Sequence, residues 1–123
     1  MLTNKTSVTN TDFILTDLDV DADNNGGTAG DAKDDVFAGA ATIHSIFLDA
    51  SGATTSYLKL YDNPAPTIGT TDPDVILMVK EPCMWTILDG LAFTNLSYGA
   101  SAEDGTGGTA TPTVTVKLHM VVR

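Results

Sequence analysis

A chain of 123 residues has room for one domain with one core. Sixteen acids, fourteen of them Asp, stand against six bases, a formal net charge of −10. Such a surface repels phosphate backbones and anionic bilayers, which excludes nucleic-acid and membrane-surface binding as main activities. The single cysteine, Cys83, leaves no internal disulfide, so stability must come from burial or association, and a reducing cytosol suits the chain. No apolar run approaches the ~18 residues of a membrane span, and Met1 to Thr6 carry no apolar signal core, so export by the usual route is not expected.

Residues 1–11 are polar and read as an arm that orders only when captured by a partner or a sheet edge. Phe13-Ile14-Leu15 is a short apolar island, a possible first strand. Asp17, Asp19, Asp21 and Asp23 then recur at every second position, followed by Asn24-Asn25-Gly26-Gly27, Gly30-Asp31 and Asp34-Asp35. In an extended strand that spacing puts the four carboxylates on one face, with Leu18, Val20 and Ala22 on the other. A row of like charges is either a solvated edge or a cation site. The opening Asp19-x-Asp21-x-Asp23 is that of an EF-hand calcium loop, but Asn24 stands where the turn glycine belongs and Gly30 where the closing glutamate belongs. The expectation is a flexible, polar and acidic arm over residues 1–35 that is not a tight calcium site.

The ordered body is expected over residues 36–123. Ile43 to Leu48 is apolar on both faces, with Ile43 and Phe47 on one and Ile46 and Leu48 on the other. A single sandwich covers only one face of such a strand, so a neighbouring subunit is expected on the other, in a trimer. His44 is isolated from other metal-ligating residues. Tyr57-Leu58-Lys59-Leu60-Tyr61 alternates, with Leu58 and Leu60 inward. Pro64, Pro66 and Pro73 exclude strand ladders from the long loop that follows. Val75 to Val79 and Trp85 to Leu88 are the next strands, with Glu81-Pro82 between them. Cys83-Met84-Trp85 suits a contact patch if exposed and a core if buried. Nothing beside Cys83 would activate it as a nucleophile.

Leu91 to Phe93 and Leu96 to Tyr98 are short apolar runs, and Ser101 to Pro112 is a Gly/Thr/Ala loop, mobile or partner-bound. The chain closes on strict alternation, with Val114, Val116, Leu118, Met120 and Val122 on one face and Thr115, Lys117 and His119 on the other. Seven or eight strands with no helical period describe an all-β protein, a β-sandwich of jelly-roll or immunoglobulin-like layout. No acid/base pair, triad or metal set can be assembled, so no catalytic, cofactor or metal residue is assigned and no enzyme is expected.

In order along the chain, Tyr57 to Asp62, Ala65 to Asp74, Asp89 to Phe93, Leu96 to Tyr98 and the closing β-run resemble small virion structural proteins of tailed bacteriophages. The resemblance covers roughly residues 36–122. It implies a β-sandwich on the virus particle, a decoration or cement protein bound to the major capsid protein, made in the host bacterial cytoplasm and carried on the capsid surface. The trimeric state is also a habit of similar proteins. Lys80 to Trp85 departs from the look-alikes, which carry a Pro-Ala-Gly-type turn there. The competing reading is a glycan- or receptor-binding module of a tail or head fibre, for which Trp85, Tyr57, Tyr61, Asp62 and Asn63 are the available parts.

Overall fold

The structure is a computed structural model that describes residues 3–7, 13–22, 30–50 and 54–123. Among those residues eight strands appear: β1 (Thr3–Ser7), β2 (Phe13–Val20), β3 (Ala41–Asp49), β4 (Ser56–Asp62), β5 (Val75–Val79), β6 (Cys83–Phe93), β7 (Leu96–Ser101) and β8 (Val116–Val122). They form a five-stranded sheet in the order β1-β2-β8-β3-β6 and a three-stranded sheet in the order β5-β4-β7, both antiparallel. No helix occurs among the described residues.

The stretch 30–36 completes the smaller sheet without forming a regular strand. Lys33 and Tyr98 exchange backbone hydrogen bonds of 2.8 and 3.1 Å, and Val36 N–H donates to Leu96 O at 2.9 Å. Counting that stretch, the chain from β2 to β8 visits the larger sheet, the smaller, the larger, the smaller twice, the larger, the smaller and the larger. This is the path of a jelly roll. In an immunoglobulin-like sandwich the last strand pairs with its predecessor in the chain; here β8 lies between β2 and β3. Of the two layouts the sequence allows, the pairing selects the first.

Apolar side chains from both sheets meet between them: Leu15, Val20, Ile43, Ile46, Leu48, Val116, Leu118 and Met120 from one, Leu58, Leu60, Leu96 and Tyr98 from the other. The boundary expected at residue 36 therefore falls inside the fold. Residues 13–22 and 30–35 belong to the sandwich, because Leu15 and Val20 fill the core and Ala32 is buried beneath the loops. The backbone of Thr3–Ser7 pairs with β2, so this part of the expected arm is an edge strand; the rest of residues 1–12 lies outside the described residues.

Two bulges decide which side chains face inward. On β2, Asp17 faces Leu118 and Val20 faces Val116, so two residues of β2 oppose the single Lys117. The extra residue breaks the period of two: Asp17 and Val20 both point into the sandwich, while Leu18 and Asp19 are exposed. The expected one-sided row of carboxylates does not form. On β3, His44 is the extra residue between Ile43 and Ser45. Ile43, Ile46 and Leu48 all reach the core as a result, and only Phe47 of the four apolar residues faces outward, half-buried. The strand is thus not apolar on both faces, and the reason for expecting a subunit over it disappears.

The final strand is as the alternation implies, with Val116, Leu118, Met120 and Val122 buried and Lys117 exposed. Leu118→Ala should cost about 2–5 kcal/mol in denaturant unfolding, the usual range for emptying a buried leucine. Lys117→Ala should stay within about 0.5 kcal/mol, as for other surface substitutions. Equal costs for the two would show that the strand is placed with the wrong face inward.

Candidate interaction surface

The acidic residues singled out by their spacing do not converge. The Asp17 carboxyl group is wholly buried, accepts a hydrogen bond from Tyr98 Oη at 2.8 Å, and takes a second from the Asp19 backbone N–H at 3.1 Å. The first bond joins the two sheets and the second closes the β2 bulge. Asp19 is exposed and Asp21 half-buried, with its carbonyl accepting from Ala100 N–H at 3.0 Å. Asp23 and Gly26-Gly27 lie outside the described residues, and among those described no three metal-ligating side chains come together.

The parts of a glycan platform are separated or already engaged. Tyr61 is buried, and Trp85 packs against the core from β6 in the other sheet. Asp62 Oδ1 accepts from the backbone N–H groups of Thr94 and Asn95, both at 2.8 Å, and Asn63 Oδ1 caps Ala65 N–H at 2.8 Å. These side chains fold the ends of the loops instead of facing a ligand. Cys83 is half-buried, and burial pushes its thiol pKa up, the opposite of what a nucleophile needs. Alternation splits the Cys83-Met84-Trp85 patch: Cys83 and Trp85 pack against the core, and Met84 is 65% exposed.

The outer face of the smaller sheet is closed over by loops above β4 and β7, while Ile76 and Met78 of β5 stay exposed. The proline-rich loop lays Ile68 on Gly99, where a side chain would strike Ile68 Cδ1, and Ile68 joins Tyr61, Ala22 and Ala32 in a second small core. Ile68 N–H donates to Gly30 O at 2.7 Å, which fastens that loop to the stretch 30–36. Gly69 adopts a positive φ of 94° with its α-carbon against Thr109, so glycine is required there on both counts. The Gly/Thr/Ala loop is held as well: Lys59 Nζ donates to Gly108 O at 3.1 Å, Thr106 Oγ1 to Asp72 Oδ1, and Ala102 N–H to Ala110 O at 2.8 Å. Lys59 is fully buried; desolvation holds its pKa below the usual lysine value, partly offset by the charges of Glu103 and Asp104. The alternation of β4 places Lys59 and Tyr61 on the outer side as expected, but at those two positions that side is buried.

Tyr61 makes a pH prediction. Its hydroxyl is buried without a hydrogen-bonding partner among the described residues, and burial pushes its pKa up to about 12. Burial penalises the phenolate, so the unfolded chain loses this proton near pH 10 while the folded chain holds it to about 12, and stability falls as pH rises between the two. Stability should therefore fall across that interval, and Tyr61→Phe should flatten that fall. At pH 7 the same variant should be neutral or stabilising, since it removes a buried group that costs about 1–3 kcal/mol when unpaired. Thermal unfolding at pH 7, 10 and 11.5 checks both statements; a large loss at pH 7 would show that the hydroxyl has a partner.

Among the described residues, nothing closes over the outer face of the larger sheet. Register aligns Ile14, Val121, Ser45 and Thr86 in one cross-strand row and Thr16, His119, Phe47 and Met84 in the next. Ile14 and Val121 are each 36% exposed. The His119 ring lies 5.9 Å from that of Phe47, and its Nδ1 is 3.3 Å from Thr16 Oγ1. Neither row contains an acid or a strong base, although the chain carries a net charge of −10. Beyond them β6 departs from β3 over residues 87–90, between the Ser45–Thr86 and Ile43–Leu91 pairs, and leaves Leu88 93% exposed. Gly90, at φ 78°, lets this excursion return against Thr42 and His44. Sequence alternation marks His119 and Thr115 as outward but does not show that Ile14, Phe47 and Met84 join them. That depends on long-range pairing and on the bulge at His44.

Compared with known proteins, the chain matches no family model, no curated protein and no solved structure.

Proposed function

We propose that the chain is a viral structural protein that binds and stabilises the outside of a bacteriophage capsid, with the open face of its larger sheet as the contact surface. The observation that carries this reading is the pair of uncharged rows Ile14-Val121-Ser45-Thr86 and Thr16-His119-Phe47-Met84 on an otherwise acidic molecule. Protein contact surfaces are depleted in charge at their centre and enriched in Met and aromatic residues. The ordered resemblance of residues 36–122 to small virion proteins supports the same reading and supplies the partner, the major capsid protein.

The chemistry agrees with a binding role. The buried polar side chains Asp17, Lys59 and Ser101 each hold a strand or loop in place. A surface of excess carboxylates keeps a concentrated structural protein soluble while the uncharged face associates. The glycan-binding alternative lacks this support, since Tyr61, Trp85, Asp62 and Asn63 are buried, packed inward or engaged in the loops.

Met84→Asp and Val121→Asp place a carboxylate in each row without touching the core. Co-sedimentation with shells assembled from the major capsid protein of the same virus should show the parent chain bound. Each variant should bind at least about tenfold more weakly, the effect of about 1.4 kcal/mol at an interface. Melting temperatures should stay within a few degrees. Undiminished binding by both variants would remove the face from the proposal, and no binding by the parent chain would overturn it.

A further inference from the structure

The exposed edge of β5 differs from the edges of β6 and β7. Natural sheets protect a free edge with charges, proline, a bulge or a covering segment. The edge of β6 is broken by the excursion over residues 87–90, and the outer edge of β7 is occupied by the stretch 30–36. β5 reads Val75-Ile76-Leu77-Met78-Val79, has no interrupting residue, and among the described residues pairs with β4 alone. Val75, Leu77 and Val79 turn inward, while Ile76 and Met78 are 37% and 61% exposed. Asp74 and Lys80, both exposed, flank the strand.

Carried one residue past each end of β5, the alternation gives the outward row Asp74, Ile76, Met78, Lys80, and that row is complementary to its own reverse. If two copies of β5 run antiparallel about a two-fold axis at Leu77, Ile76 of each faces Met78 of the other and Asp74 of each faces Lys80 of the other. The geometry points to a homodimer in which β5 pairs with β5 of a second copy, joining two three-stranded sheets into one of six strands. Two ion pairs then bracket a pair of apolar cross-strand contacts, and the unpaired backbone edge is satisfied on both sides. A shift of register by two residues leaves a charge opposite an apolar side chain at each end, so the charges set the register as well as the partner. Asp74 keeps its local role in this arrangement: its Oδ2 accepts from Asp62 N–H at 2.6 Å, and the second oxygen serves the pairing. The dimer uses the smaller sheet's edge and does not rest on capsid binding by the larger sheet.

Sedimentation velocity of the full chain between about 1 and 300 μM tests the pairing, a range suited to an interface smaller than the standard size. The parent chain should show a monomer–dimer equilibrium. Lys80→Asp sets two carboxylates opposite each other at both ends and should weaken the dimer at least about tenfold. The double exchange Asp74→Lys with Lys80→Asp restores opposite charges and should recover it. A monomer throughout the range, a trimer, or an unchanged dimer in Lys80→Asp would overturn the inference. Should the double exchange disturb the Asp62 contact and fail to fold, hydrogen exchange on the parent chain decides. Amides of β5 that point away from β4 should gain protection with concentration, and protection independent of concentration would contradict the pairing.

Discussion

The hydrogen bond from Tyr98 Oη to the buried carboxyl group of Asp17 is the contact on which the sandwich turns. Through it the larger sheet, at β2, and the smaller sheet, at β7, are joined by a side-chain hydrogen bond inside an apolar core. A buried carboxyl group without partners is costly, so the bond fixes both the depth of β2 and its register. The Asp19 N–H bond to the same carboxyl group holds the bulge that turns Asp17 inward. Without that bulge, β2 would bring either Asp17 or Val20 to the core face, but not both. The β3 bulge at His44 has the matching effect of sending Ile43, Ile46 and Leu48 to one side.

With inward positions settled, the two outer faces of the sandwich take different fates. The smaller sheet is roofed above β4 and β7 by its own loops, and the roof is tied down by Lys59, Ile68 and the Thr106–Asp72 contact. Residues such as Tyr61 and Lys59, whose alternation suggests a polar outer surface, become interior groups with the altered proton affinities that burial brings. Among the described residues, the larger sheet has no such roof over its two uncharged rows. The acidic surplus sits outside those rows, at exposed positions such as Asp19, Asp72, Asp74, Asp89 and Asp104. That division is the physical basis for assigning contact to the larger sheet.

Much of this fold is legible in the sequence where the period is unbroken. β8 declares itself through Val116, Leu118, Met120 and Val122, and β4 and β5 through their short apolar runs. The all-β class and the strand count follow from the same signals. Three features are hidden, each for a reason of chain separation or local geometry. β2 is disguised by its aspartates, because burial of Asp17 depends on Tyr98, 81 residues away. β3 looks apolar on both faces because a bulge carries no clear residue signature. The open face is assembled from β2, β8, β3 and β6, whose neighbours in space are distant in sequence, so its lack of charge appears only after pairing.

The larger sheet can present those rows only if β2 is locked in its bulged register by the inter-sheet bond. A double-mutant cycle on Asp17→Asn and Tyr98→Phe, followed by denaturant unfolding at pH 7, tests that claim most directly. The account requires the two substitutions to be coupled by about 1–3 kcal/mol, the range for residues in one buried hydrogen-bonded pair. Losses that simply add, to within about 0.5 kcal/mol, would mean that the two groups do not support each other and that β2 is held in place by apolar packing alone.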